Sequence, residues 1–335
     1  MTELELNSVA LIGELPYDWK KLQEKTILIS GGTGFIGSFL IDVVRYRNAR
    51  YNDNIKIVSL SRRGADSDDV VQYLKADITQ QIVYDGDADF VLHLASNTHP
   101  KQYAEDPVGT IMTNIIGCDN LLKIAVEKKA RFLLASSVEI YGEGIETPVD
   151  EKYSGYIDCN QARAGYNEAK RTCEALCQSY RNQYGVDAVI VRLARIFGAD
   201  KKQDTKAMSQ FMNKALLGED IVLKSQGNQR FSYCYVADAV SGIFKVLLDG
   251  VDGEAYNIAG EDECMNLRDY AQYMAGLANK NVIMQIEENQ SASKASYALM
   301  DIEKIKGIGW KPLYSVKEGL DLTFKIYKSR ENASN

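Results

Sequence analysis

The chain has 335 residues, of which 45% are hydrophobic and 25% charged, proportions that fit an ordinary globular protein and exclude a disordered or low-complexity one. A net charge of −7 provides no basic surface of the kind that phosphate backbones require, so no nucleic-acid partner is expected. The 6 cysteines form no Cys-x-x-Cys and only 2 histidines, His93 and His99, accompany them, so no metal site is expected; residues 1–15 carry neither a basic leader nor a long apolar run, so neither a signal peptide nor a membrane helix is expected.

The lead, residues 1–25, includes Pro16-Tyr17-Asp18-Trp19 and is longer than the motif after it requires, which leaves packing on the core and contact with a second subunit both open. Thr26-Ile27-Leu28-Ile29-Ser30 predicts a strand covered on both faces, and Ile36, Leu40, Ile41 and Val44 predict a helix after it. Between them stand Gly31, Gly34 and Gly37. In a dinucleotide site such glycines permit the tight turn, the close approach of pyrophosphate to backbone, and the packing of helix on strand. Glycine spacing alone is a weak signal, and the flanking strand and helix favour the cofactor reading over a structural turn.

A second strand, Ile55-Lys56-Ile57-Val58-Ser59-Leu60, ends at Ser61-Arg62-Arg63-Gly64 with no acidic residue to take a ribose hydroxyl. The two arginines favour NADP over NAD through a 2′-phosphate, with solvated loop residues as the alternative. Residues 71–75 predict a third strand that delivers Asp77 and Ile78 to the adenine side, and residues 90–94 predict a fourth in which His93 is read as a core histidine. A helix is expected over 107–129, then a strand over 131–135 ending in Ser136-Ser137-Val138-Glu139-Ile140-Tyr141-Gly142. Polar groups at the carboxyl end of a parallel strand stand where open α/β sheets bind ligands, which singles out Ser137 and Glu139.

Arg163-Ala164-Gly165-Tyr166-Asn167-Glu168-Ala169-Lys170-Arg171 opens a helix running to about residue 184, with Cys173 and Cys177 read as packing residues on it. Tyr166 and Lys170 share one face of it. A nearby ammonium favours the phenolate, and a hydroxyl such as Ser137 can share the substrate oxygen. A sixth strand covers 188–193, helices are expected over 206–217 and 266–278, and 255–258 is strand-like. The expected organisation is a lead (1–25), a dinucleotide-binding domain (26–200), and a smaller substrate lobe (201–328) from which 230–260 returns to the main domain; the polar tail 329–335 is expected to fray. The fold class is α/β, a Rossmann-type doubly wound parallel sheet with a smaller C-terminal substrate lobe.

With these features in order, the sequence resembles the extended short-chain dehydrogenase/reductase family, the nucleotide-sugar epimerases, dehydratases and decarboxylases, over residues 25–322. The glycine turn, Asp77-Ile78, Ser137 with Tyr141-Gly142, and Tyr166-x-x-x-Lys170 carry the resemblance. Within the family it is most similar to UDP-glucuronate decarboxylases, through His93-Leu94-Ala95-Ser96, Tyr103, Pro107, Thr113-Asn114, Gly117 and the segments around Glu139 and Tyr166. The resemblance implies catalysis by Ser137, Glu139, Tyr166 and Lys170. It also implies a cofactor site made by Gly31, Thr33, Gly34, Phe35, Ile36, Gly37, Ser61, Arg62, Arg63, Asp77, Ile78, Leu94, Ala95, Ser96, Asn114, Tyr166 and Lys170. Asn97, Arg195, Arg230 and Tyr235 are the implied substrate residues.

Tyr166 is then expected to take a proton from a sugar hydroxyl as the carbinol becomes a 4-ketone, which activates the neighbouring C5 for loss of carbon dioxide or water. An acid at Glu139 favours decarboxylation or dehydration over simple epimerisation. Other readings stay open: a 4,6-dehydratase, an epimerase, a keto-sugar reductase, or a dinucleotide-binding sensor without turnover. Two departures concern the substrate: Arg195 stands where the family commonly has Asn, and Phe231 where it commonly has a phosphate-binding Arg, with Arg230 one residue earlier. A homodimer through helices near 107–129 and 163–184, and a reducing cytoplasmic location with free thiols, complete the expectations.

Overall fold

Ile27, Leu28 and Ile29 are fully buried in β1 (Thr26–Ser30) because apolar layers cover both faces of the strand: Ile27 and Ile29 join one cluster and Leu28 the other. The computed structural model describes residues 1–96, 105–162, 164–200, 206–261, 265–286 and 296–334. β2 (Lys56–Ser61) and β3 (Val71–Lys75) continue the sheet on one side of β1. On the other side follow β4 (Phe90–His93), β5 (Arg131–Ser137), β6 (Ala188–Leu193) and β11 (Ala255–Ile258), giving the order β11-β6-β5-β4-β1-β2-β3. Every pairing in this 7-stranded sheet is parallel, so all carboxyl ends lie along one edge. The order reverses between β1 and β4, where a doubly wound sheet opens a crevice for ligands.

Helices α2 (Phe35–Tyr51) and α6 (Val236–Asp249) cover one face; α3 (Pro107–Lys128) and α4 (Ala164–Tyr184) pack together on the other. The start of α3 is set locally: Asp106 accepts the Gly109 N–H at 2.9 Å, and Pro107, which has no N–H to satisfy, takes the first turn. The strand-like segment 255–258 is β11, an edge strand of this sheet.

Beyond β6 the elements are short. β7 (Arg195–Phe197) pairs with β10 (Tyr233–Tyr235), β8 (Ile221–Leu223) with β12 (Val282–Met284), and β9 (Arg230–Phe231) with β13 (Tyr297–Ala298). α5 (Ala207–Leu216) packs against α7 (Leu267–Leu277), whose start is fixed by reciprocal bonds between Asn266 and Asp269.

The lead packs on the chain's own core. α1 (Glu3–Gly13) begins with a capping box between Thr2 and Glu5 and buries Val9 and Ile12. Trp19 is buried edge-on to Phe244 of α6, and Arg47 of α2 donates to the Gly13 carbonyl at 3.0 Å while pairing with buried Asp53. Where the tail is described, it is helical to residue 334. After the short helix α8 (Glu303–Gly307), α9 (Val316–Ser334) runs past residue 328, and Arg330 pairs with Glu5 at 2.5 Å and donates to the carbonyls of Ala199 and Asp200. Polar composition suggested a loose end; three charge-assisted hydrogen bonds hold it. Among the described residues no helix is long and apolar enough to cross a membrane, and no group of three or more His, Cys, Asp or Glu is placed to hold a metal ion.

Candidate active site

Gly31 leaves β1 with a φ of +83°, and a Cβ there would sit 2.8 Å from the Ala95 backbone nitrogen at the end of β4. At Gly37 a Cβ would lie 2.3 Å from the Gly31 carbonyl oxygen, so only glycine lets α2 come this close to the strand. Gly34 caps α2 with no side-chain hydrogen bond, and its N–H closes the turn onto the Gly31 carbonyl at 2.9 Å. The first amides of α2 therefore face outward, with Thr33 and Gly34 exposed, and the cradle fits a dinucleotide pyrophosphate.

Ser61 ends β2, its hydroxyl accepting the Gly64 N–H at 3.1 Å, and Arg62 and Arg63 after it are exposed. Asp77 follows β3. The Thr79 backbone N–H, then the Thr79 hydroxyl, and the nearby Arg62 charge hold its carboxyl below the usual range. Ile78 is buried beneath it. These residues lie at the carboxyl ends of β2 and β3, along the edge from which the glycine turn leaves β1.

A cavity of about 690 Å³ opens beside the turn. Gly31, Gly34, Phe35, Ile36, Gly37, Leu94 and Ser96 line it together with Ser137, Glu139, Tyr166, Lys170 and Arg195, elements that begin more than 150 residues apart in places. Thr33, Ala95 and Asn114 are outside that lining; Asn114 is buried and its side-chain oxygen accepts the Ser96 hydroxyl at 2.9 Å. His93 is fully buried, its Nδ1 2.8 Å from the Ser30 hydroxyl, and burial pushes its pKa down to about 3, so it is a neutral core residue.

Tyr166 and Lys170 project from one face of α4 under the carboxyl end of β5. The ammonium of Lys170 is buried, lies 5.9 Å from the Tyr166 ring centroid and donates to the Ala135 carbonyl at 2.8 Å; burial lowers its pKa. The Tyr166 phenol is pushed up to about 12, first by burial and then by the negative charge of Glu139, while hydrogen bonds with Ser137 and Ser96 work the other way. Placing Lys170 beside Tyr166 thus does not by itself produce a phenolate: desolvation outweighs it in this state.

Ser137 closes β5 and caps the short 3-10 turn Val138–Tyr141, accepting the Glu139 N–H at 3.3 Å. Asn167 fixes that turn by donating to the Glu139 carbonyl at 2.8 Å. The Glu139 carboxylate meets Arg195 of β7, Nη2 to Oε1 3.2 Å, and the guanidinium lies 3.9 Å from the ring centroid of Phe231. Arg195 and Phe231, the two departures from the family pattern, are therefore in direct contact.

Two implied substrate residues do not line the cavity. Phe231 turns to Arg195, so its neighbour Arg230 in β9 points the other way and is exposed near Tyr297. Tyr235 is buried between Phe197 and Tyr314, with ring centroids at 5.8 and 5.3 Å, and its hydroxyl bonds Ser8, so it belongs to the core under α1. Asn97 lies outside the described residues. Motif reading missed Asn167, although it sits inside the quoted helix start, and missed Lys206 and Ser209 of the cavity wall, which only tertiary folding brings there.

The chain matches the NAD dependent epimerase/dehydratase family over residues 27–259. It is 32% identical over 317 residues to UDP-glucuronic acid decarboxylase 3 of Arabidopsis thaliana, covering 91% of this chain and 90% of that protein. To UDP-glucuronic acid decarboxylase 1 of Danio rerio it is 31% identical, covering 92% of this chain and 73% of that one. Solved structures share the fold: UDP-glucose 4-epimerase from Thermotoga maritima (TM-score 0.77, 21% identity, 91% of this chain and 99% of that one) and an NAD-bound dTDP-glucose 4,6-dehydratase from Streptomyces venezuelae (TM-score 0.78, 22% identity, 92% and 98%). The glycine cradle, the Ser137, Tyr166 and Lys170 cluster and a family match spanning both lead to one conclusion: the chain belongs to the NAD-dependent epimerase/dehydratase family.

Proposed function

We propose that this enzyme removes the carboxyl group of a UDP-glucuronate-like nucleotide sugar as carbon dioxide, by way of a 4-keto sugar. The carrying observation is that Glu139 shares one cavity with Ser137, Tyr166 and Lys170, an acidic group beside the carbinol chemistry. Curated relatives that are UDP-glucuronic acid decarboxylases support the reading.

The dinucleotide, when bound, supplies a reversible two-electron acceptor for the sugar carbinol. Gly31, Gly34 and Gly37 would hold its pyrophosphate, with Ser96, Tyr166 and Lys170 at the nicotinamide end. Tyr166 first gives up its own phenol proton to solvent, then takes the proton from the C4 hydroxyl and later returns it; Ser137 shares that oxygen by hydrogen bond. Lys170, anchored on Ala135, keeps a positive charge near the phenol. A ketone at C4 stabilises the charge left at C5 as carbon dioxide departs, and Glu139 passes to C5 a proton taken up from solvent.

The finer cofactor assignment is NADP, supported by exposed Arg62 and Arg63 at the tip of β2, where no carboxylate follows the strand. Heat release of cofactor from purified protein, with chromatographic separation, identifies it; NAD as the main species overturns NADP. A homodimer through α3 and α4 is the assembly we infer, supported by Val108, Met112 and Tyr184, exposed on those helices. Free thiols at Cys118, Cys159, Cys173, Cys177 and Cys234 support a reducing, cytoplasmic location.

A panel of nucleotide sugars read by mass spectrometry tests the reaction. UDP-glucuronate should lose carbon dioxide to give a UDP-pentose without net consumption of cofactor. Unchanged UDP-glucuronate, with another sugar dehydrated or epimerised, overturns the reading.

A further inference from the structure

We infer that Arg195 is the receptor for a carboxylate on the substrate's sugar, and that this carboxylate takes the place of Glu139 on the guanidinium. The inference rests on the nucleotide-sugar reading of the site and names the residue that makes it selective for acidic sugars.

Three cations line the cavity among the described residues: Lys170, Arg195 and Lys206. Lys170 is buried and committed to the Ala135 carbonyl beneath Tyr166. Lys206 stands at the start of α5, a separate element from the β5 turn. Arg195 stands at the reacting end, because its partner Glu139 belongs to the same short turn as Ser137, whose hydroxyl hydrogen-bonds Tyr166.

The guanidinium is also oriented. Its Cζ lies 3.9 Å over the Phe231 ring centroid, and its Nε is buried with no hydrogen-bond partner among the described residues. A planar fork of this kind matches a carboxylate in two-point contact, which a lysine does not. The bond to Glu139 uses Nη2 alone, and both side chains keep about a third of their surface accessible, 32% and 28%. A neutral sugar offers nothing to compete for that guanidinium. An acidic sugar does, and it frees the Glu139 carboxyl to take up from solvent the proton that C5 gains when carbon dioxide leaves. Phe231 fits this arrangement: it supports the guanidinium instead of offering a charge of its own.

Calorimetric binding of UDP-glucuronate and UDP-glucose to the holoenzyme in a Tyr166→Phe background, which blocks turnover, separates the alternatives. Adding Arg195→Gln should weaken UDP-glucuronate about ten- to a hundredfold, as loss of a charge-assisted pair does, and UDP-glucose by less than about threefold. Arg195→Lys should fall between, and retained cofactor together with an unchanged circular dichroism spectrum certifies the fold of each variant. Equal weakening of both ligands would mean that the arginine serves the diphosphate common to them, and this overturns the inference, as does no weakening of either. Carbon dioxide release by the unmodified enzyme is scored separately. If it is absent while the Arg195-dependent preference is present, the decarboxylase reading fails and this inference stands; the opposite pattern fails the inference alone.

Discussion

Tyr166 sits at the point where the chemistry and the electrostatics of the site meet. Burial chiefly holds its phenol up, to about 12, so in the proposed mechanism it has to lose its own proton before it can take the sugar's, a loss that the nearby Lys170 charge favours. Tyr166→Phe should lower kcat by about 10²- to 10⁴-fold while substrate affinity shifts only a few-fold, measured by turnover and by calorimetry. A loss confined to KM would assign Tyr166 to binding. His93 provides a second residue-scale expectation. Its folded pKa, about 3, is depressed from the ordinary 6.5, so between these values the unfolded chain binds a proton that the folded chain refuses. Stability from this group is therefore whole above pH 6.5 and is lost as pH falls towards 3, by up to ~1.4 kcal/mol per pH unit. Urea midpoints taken across pH 4 to 6.5, roughly the window that linkage defines, should slope less steeply in His93→Gln than in the unmodified protein.

At the scale of elements the glycine turn is the least tolerant segment. Gly37→Ala would set a methyl 2.3 Å from the Gly31 carbonyl oxygen, and backbone cannot move aside as a flexible side chain does. The purified variant should carry little bound dinucleotide and lose on the order of 1–3 kcal/mol of stability, read by cofactor absorbance and urea unfolding. This turn was legible because strand, glycines and helix are contiguous, and the same holds for Ser137 with Glu139 and for Tyr166 with Lys170, each pair set by one strand end or one helix face. Residues 195–235 were not legible in that way. β7, β9 and β10 hold two or three residues each, too few for periodicity to reveal which side chain points inward. Motif offsets alone put Arg230 and Tyr235 among the substrate residues. In the fold, strand alternation turns Phe231 to Arg195 and sends Arg230 outward, while α1 covers Tyr235. A contact between residues 36 positions apart in the chain, such as Arg195 with Phe231, leaves no local signature.

Over the whole molecule, the two chain ends brace the cavity wall. Arg330 of α9 joins Glu5 of α1 and donates to the carbonyls of Ala199 and Asp200, and Asp200 lines the cavity. Composition disclosed the lead and the tail as polar or acidic, and neither sequence segment announces that one salt bridge unites them beside the site. Arg330→Met should cost about 1–3 kcal/mol in urea unfolding and raise KM with kcat nearly unchanged, because the wall loosens while Ser137, Tyr166 and Lys170 stay in place. A fall in kcat alone would mean that the brace acts on the catalytic group. The central claim, decarboxylation through a shared cavity of Tyr166 and Glu139, is met most directly by following carbon dioxide from UDP-glucuronate labelled at its carboxyl carbon. Labelled carbon dioxide should appear in step with UDP-pentose, with the bound cofactor undiminished, and Tyr166→Phe should slow its release by at least about a hundredfold. Label that stays in the nucleotide sugar while the enzyme is folded and cofactor-loaded would contradict the account.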